Sequence, residues 1–220
     1  MPITLYDVCR PPVALALRLL CRYEFVNREV SLPDEPLVVV SNHLSWLDIP
    51  LLAVGIRHRR ISFMAKKEYF HSPVHAFIIR VMGSFTVDRR KVDRSAFDLA
   101  AKALQDGRAL GIFPEGTRSR TLQLQKGKLG VAFIGLRSNA LILPVGISGT
   151  EKIRHKYQGS DKKLFYRPRV TVNIGQPFRL PPVNGKPSRA DLVTSTETVM
   201  KRIADLLPED YRGVYRSDGH

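Results

Sequence analysis

The sequence predicts an α/β fold: a single domain with a mixed, mostly parallel sheet flanked by helices, preceded by an amphipathic N-terminal helix. Three observations carry that expectation. Short aliphatic runs at 37–40, 109–113 and 141–147 alternate with helical patterns, the rhythm of strand–helix–strand units. A chain of 220 residues is long enough for one sizeable core. Its 44% hydrophobic and 25% charged residues are the proportions of a folded domain, not of a disordered one.

Charge and cysteine usage narrow the function classes. A net charge of +15, from 35 Lys and Arg against 20 Asp and Glu, has to meet something negative: nucleic acid, an anionic membrane surface or phosphorylated ligands. The cysteines are Cys9 and Cys21, too few for a disulfide framework and without metal-type spacing, so both read as free thiols. His71 and His75 are four apart but separated by Pro73 and lack further ligands nearby, which argues against a metal site.

The first element expected is a helix over 11–25. Arg10, Arg18 and Arg22 fall on one i, i+4 row through Ala14 and leave most of the circumference apolar. At about 20 Å it is too short to cross a hydrocarbon core of about 30 Å, so it either lies in a membrane interface or packs on the domain's flank. Residues 31–36 are a turn-rich entry to a strand at 37–40. Next comes Asn42-His43-Leu44-Ser45-Trp46-Leu47-Asp48, then a helical segment over 49–56. His43 thus sits where a strand gives way to a helix, the usual ligand address of an open α/β sheet.

On a straight helix, residues five apart point roughly 140° away from each other, so His43 and Asp48 meet only if the histidine lies in the loop and folds back. A carboxylate would then fix the imidazole tautomer while the other nitrogen accepts a proton. The structural alternative is a capping box, with Ser45 as N-cap and Asp48 three residues on.

The cationic patch Arg57-His58-Arg59-Arg60 precedes a strand at 61–64, with Lys66 and Lys67 at its carboxyl end. Residues 73–82 read as an apolar helix capped at Gly83, and 84–88 as a short strand leading into Asp88-Arg89-Arg90. Residues 93–106 read as an amphipathic helix with Phe97, Ala100, Ala101 and Leu104 on one stripe and Gly107 as its stop. The strand at 109–113 runs into the polar turn Pro114 to Arg120. A helix over 129–137 follows, then a strand at 141–147 that Pro144 assigns to a sheet edge or a bulge. The alternation at 166–174 marks a half-exposed strand, and 189–207 a closing helix.

Three strand ends thus carry polar turns: His43 to Asp48, Asp88-Arg89, and Glu115 to Arg120. Arginine grips phosphate through two parallel N–H donors, and glycine lets backbone amides approach it. A general base beside such a grip suits an acceptor that bears both a hydroxyl and a phosphate.

These residues resemble the glycerolipid acyltransferases, the family that includes the 1-acylglycerol-3-phosphate acyltransferases. Residues 42–48 match its Asn-His-x-x-x-x-Asp motif, and 113–119 match Phe-Pro-Glu-Gly-Thr-Arg-Ser at every position. Residues 83–89 are similar to the Gly-x-x-Phe-x-x-Arg block, with Thr86 where the family has an aromatic, and Leu143-Pro144-Val145 to the Val-Pro-Val block. The lysine-glycine element after the third motif is represented by Lys126-Gly127-Lys128.

The resemblance implies transfer of a fatty acyl group from acyl-CoA or acyl carrier protein to the sn-2 hydroxyl of lysophosphatidic acid, giving phosphatidic acid. His43 would be the base and Asp48 its orienting acid. Arg89, Glu115, Gly116, Thr117 and Arg118 would bind the acceptor, with Glu115 orienting an arginine or a hydroxyl. No metal, no cofactor beyond the acyl co-substrate and no nucleic acid partner is implied. The resemblance further implies peripheral attachment to an anionic membrane at its cytoplasmic face. Residues 1–30 would be the interfacial segment and 31–220 the catalytic domain, with Arg57, Arg59, Arg60, Lys66 and Lys67 facing headgroups or coenzyme A phosphates. Within the same class, glycerol 3-phosphate or another lysophospholipid is an alternative acceptor. A non-catalytic basic module has no need for His43 and Asp48, and a thioesterase has none for a phosphate grip.

Overall fold

The computed structural model describes residues 4–57, 59–66, 84–87, 94–156 and 167–216. The expected helix over 73–82 with its Gly83 cap, the pair His71 and His75, Lys67, and Asp88 to Arg90 lie outside those residues.

The strands are β1 (Arg22–Val26), β2 (Leu37–Ser41), β3 (Ile61–Lys66), β4 (Phe85–Val87), β5 (Ala109–Ile112), β6 (Leu141–Ser148) and β7 (Arg169–Ile174). They form one sheet in the order β1-β7-β6-β2-β5-β3-β4. The pairs are parallel except β6 with β7, which makes the sheet mixed and mostly parallel, as the alternation of elements predicts.

Helices cover both faces. α1 (Leu5–Leu20) and α2 (Asp48–Gly55) lie over one; α3 (Arg94–Gln105), α4 (Gly130–Ser138) and α6 (Arg189–Ala204) lie over the other, and α5 (Glu151–Lys156) follows β6. Strand β2 shows why the sequence demands this. Leu37 and Val39 enter the cluster holding Leu17, Leu47, Leu51 and Leu52, while Val38 and Val40 enter the one holding Leu104, Val131, Val199 and Ile203. An unbroken apolar run is what a strand buried on both faces requires. Each such side chain contributes about 1.5–3 kcal/mol on burial.

Two expectations are corrected. The helix expected over 11–25 ends at Leu20, and Arg22–Val26 form an edge strand paired with β7. Tyr23 and Phe25 turn inward while Arg22, Glu24 and Val26 stay exposed, a period of two hidden by the helical row of arginines running into it. Second, β6 is not an edge strand despite Pro144; it lies between β7 and β2. The β6–β7 ladder begins only at Val145, and the Pro144 carbonyl on that side accepts from Gly175. The ring nitrogen therefore faces the side where the ladder has already ended, and the missing donor breaks no bond.

Candidate active site

Strands β6, β2 and β5 are adjacent and parallel, so their carboxyl ends share one edge. Each opens into a polar loop there. The first is pinned at once: the Asn42 amide donates to the Ile147 carbonyl and accepts from the Ile147 N–H, both at 2.8 Å. A side chain thus continues the β2–β6 pairing past Ser41 and aims the chain into the His43 turn.

In that turn His43 Nδ1 lies 2.8 Å from Asp48 Oδ2. The helix starts at Asp48 itself, with Leu47 as an N-cap that makes no side-chain bond, so residues 44–47 fold back and close the five-residue gap. The capping box forms only in half: the Asp48 carboxylate accepts the Ser45 amide, while Ser45 Oγ accepts from Leu47 N–H at 3.4 Å and not from Asp48. Oδ2 also accepts the amides of Leu44 at 2.7 Å and Ser45 at 2.8 Å, and Oδ1 accepts the Thr150 hydroxyl at 2.7 Å. Asp48 is 0% exposed, and a buried carboxylate is tolerated because these donors replace its water. Nδ1–H facing the carboxylate leaves Nε2 as the acceptor nitrogen of a ring whose side chain is 15% exposed.

The imidazole lies on an aromatic stack. Its ring is 4.0 Å from that of Phe113 at 15°, and Phe113 is 5.9 Å from Phe63, also at 15°. Gly111 in β5 makes room: a Cβ there would come within 2.3 Å of the Phe63 ring. Phe63 in turn carries Phe113, and Phe113 the base.

Glu115 is 3% exposed and turned inward. Oε1 accepts the His43 amide at 2.8 Å and Oε2 the Gln125 amide at 3.1 Å, so the carboxylate clamps both loops. Burial pushes its pKa up to about 7, opposed by those two amides and reinforced by the nearby Asp48 charge. The two turns are joined again where Ser119 N–H donates to the His43 carbonyl at 2.7 Å. Gly116 has φ +71, and the Lys128 chain packs against it so closely that a Cβ would fall 2.7 Å from Nζ.

Thr117, Arg118 and Arg120 are exposed on this turn, and the Arg118 and Arg120 side chains make no hydrogen bond or ion pair among the described residues. The structure thus joins His43, Asp48 and Glu115 by direct bonds and brings the Gly116–Arg118 turn alongside; Arg89 lies outside the described residues. Elsewhere Arg59 and Arg60 of the cationic patch serve the fold, while Arg57 stays exposed. Arg59 pairs with Asp34 at 2.7 Å and Arg60 with Asp7 at 2.8 Å, at the opposite end of the sheet, instead of facing outward for headgroups. Phe63, Gly111 and Thr150 escaped the sequence reading; the available signal was that the end of β6, beside β2, needed a polar turn of its own.

Comparison with known proteins points to one family. The family model described as Acyltransferase matches residues 22–148. A 1-acyl-sn-glycerol-3-phosphate acyltransferase of Bacillus subtilis is 30% identical over 203 residues, covering 92% of this chain and 96% of its own. One of Streptococcus pneumoniae is 31% identical over 146 residues, 66% of this chain and 51% of its own. The crystal structure of the 1-acyl-sn-glycerophosphate (LPA) acyltransferase from Thermotoga maritima superposes with a TM-score of 0.69 at 25% identity, covering 91% of this chain and 78% of that one. With the family model spanning more than half of its length and a relative matched nearly end to end, this chain belongs to the acyltransferase family.

Proposed function

We propose that the protein is a 1-acyl-sn-glycerol-3-phosphate O-acyltransferase, carrying a fatty acyl group from acyl-CoA or acyl carrier protein to the sn-2 hydroxyl of lysophosphatidic acid. The observation that carries this reading is the His43–Asp48 pair at 2.8 Å, on the same sheet edge as a turn bearing the exposed Arg118. His43 Nε2 takes the proton of the acceptor hydroxyl as its oxygen attacks the thioester carbonyl carbon. The tetrahedral intermediate collapses with cleavage of the C–S bond, and the imidazolium returns the proton to the departing thiolate. Asp48 keeps the ring in the right tautomer and stabilises its cation; general base catalysis of this kind is worth about 10²–10⁴-fold. Arg118, with the Thr117 amide on the turn that Gly116 shapes and with Arg89, holds the acceptor phosphate. Glu115, whose oxygens are both taken by backbone amides, acts through the loops it clamps.

The acceptor's chemistry calls for a bilayer, and α1 is suited to one. Among the described residues no helix is long and apolar enough to cross a membrane. On α1, however, Leu5, Val8, Leu15 and Leu19 are exposed at spacings that share a side of the helix, while Tyr6 and Leu17 face the core. The C-terminal end of α1 leads into β1, whose first residue pairs with Arg169; β7 begins where β6 ends, at the His43 edge. Arg18, Arg22, Arg167 and Arg169 are exposed there, and Trp46 is 61% exposed on the His43 loop itself. A basic rim around an apolar stripe favours peripheral attachment to an anionic surface, with about 1 kcal/mol per basic residue near it. The attachment we propose is to the cytoplasmic face of the cell membrane, with α1 as the membrane-facing helix.

The test is acyl transfer from one labelled thioester to lysophosphatidic acid, glycerol 3-phosphate and neutral lysophospholipids, on vesicles with and without anionic lipid, read by product mass. Phosphatidic acid should dominate, and faster on anionic vesicles. His43→Ala should lower turnover by about 10²–10⁴-fold without loss of fold. Transfer by that variant at the wild-type rate would falsify the base assignment.

A further inference from the structure

Beyond the paired His43 and Asp48, we propose that Thr150 is a positioning residue for the reaction: its hydroxyl sets the plane and proton affinity of the Asp48 carboxylate and through it the basicity of His43. This rests on the reading of His43 as the base. Thr150 lies beyond the residues matched by the family model, which end at 148, and 102 residues from Asp48 in sequence.

Its placement is built into the fold. β6 ends at Ser148 beside β2, and the chain turns at Gly149, with φ +91. Any Cβ at Gly149 would sit 2.2 Å from the Arg169 carbonyl of β7, so only glycine lets the turn pass this close. The turn delivers Thr150 to α5 with its side chain wholly buried at 0% exposure.

The division of labour on Asp48 makes that hydroxyl matter. Oδ2 takes His43 Nδ1 and the amides of Leu44 and Ser45, all from its own loop. Oδ1 takes Thr150 Oγ1 at 2.7 Å, the hydrogen bond it makes among the described residues. Rotation about the Cβ–Cγ bond moves both oxygens together, so the Thr150 bond on Oδ1 adds to the three donors on Oδ2 and completes the hold on the carboxylate plane. A swing breaks the alignment of Oδ2 with Nδ1 and lets the ring turn. The hydroxyl also spreads the carboxylate's negative charge; without it Asp48 pulls harder on the Nδ1 proton of His43. Glu115, on the β5 turn, is the titratable group that faces this pair, and Glu151 and Tyr211 bond to each other next to Thr150. None of them changes in the test.

The experiment compares Thr150→Val, Thr150→Ser and Thr150→Ala in the full chain, with kcat and KM followed from acid to alkaline pH. Valine keeps the shape and loses the hydroxyl. Loss of a hydrogen bond to a charged group predicts a drop in kcat of roughly 10- to 100-fold. KM for lysophosphatidic acid should stay within about twofold. The acid limb of kcat should move to higher pH, and serine should restore both its position and most of the rate. Should valine not fold, alanine against serine isolates the hydroxyl in the same way. Wild-type kcat and limb in the valine variant overturn the proposal, and so do equal losses with valine and serine, which would trace the effect to the methyl group. If His43→Ala is inactive while the valine variant is normal, only Thr150's role falls; if His43→Ala is active, the base reading itself falls.

Discussion

The two turns that flank the site are built on opposite principles. In the 42–48 turn, the side chains of Asn42, His43 and Asp48 are all engaged, and Asp48 is sealed from solvent. In the 116–120 turn the backbone is fixed by Ser119 and Gly116, but Thr117, Arg118 and Arg120 stand exposed, the two guanidinium groups without partners among the described residues. One turn is finished before any substrate arrives; the other is completed by it. The difference is physical. A base must hold one tautomer and one direction whatever is bound, so its orientation is fixed in advance. An anion grip already paired with a protein carboxylate would have to break that pair first. Leaving the arginine solvated keeps its charge for the ligand.

With the His43–Asp48 pair left in place, breaking the receiving turn should still give a large effect. Arg118→Ala removes a charge-assisted contact, so KM for lysophosphatidic acid should rise roughly 10- to 100-fold. Because the side chain is exposed and makes no bond among the described residues, kcat at saturating acceptor and the melting temperature should hardly move. Steady-state kinetics beside a thermal melt read both. A fall in kcat at constant KM would mean that Arg118 serves the chemical step and that the two turns are not separable.

The finished turn can be disturbed without touching it. Gly111→Ala drives a methyl into the Phe63 ring, and the push passes through Phe113 to the imidazole. Overpacking of this kind costs about 1–3 kcal/mol of stability. Displacement of the base should lower kcat several-fold to about tenfold with KM for the acceptor unchanged. That pattern is the mirror of the Arg118 variant. Unchanged kcat in a destabilised protein would mean that the aromatic stack supports the fold and not the base.

What the sequence made legible follows the same division. β2 was readable because a run of apolar residues buried on both faces has few alternatives. His43 and Asp48 were readable because their loop is short and local. The N-terminal segment misleads because α1 and β1 abut at Cys21, and a helical row of arginines continues in register into an alternating strand. Pro144 pointed to an edge because sequence does not show on which side of a strand the ladder stops. Glu115 looked like a ligand for substrate because nothing in the letters says which way a carboxylate turns. Phe63, Gly111 and Thr150 reach the site through strand neighbours 20 to 100 residues distant in the chain, and only the strand order reveals them.

The smallest effect tests the residue that ties the two turns together. Glu115 accepts one amide from each loop, at His43 and Gln125, and burial holds its pKa near 7 against an ordinary 4.5. Between those values the native state keeps a proton that the unfolded chain has released, so this group favours folding at low pH, and that contribution is lost as pH rises from about 4.5 through about 7. Full expression of the shift amounts to about 3 kcal/mol. Glu115→Gln has no such proton. Its amide also sets an N–H₂ against one of the two backbone donors, which lowers stability at every pH and cancels when slopes are compared. Urea unfolding of both proteins at pH 5 and pH 8 should therefore show the wild type losing up to about 3 kcal/mol more than the variant on going to the higher pH. Equal losses would mean that Glu115 is ionised throughout and that its two backbone amides, not burial, govern its charge.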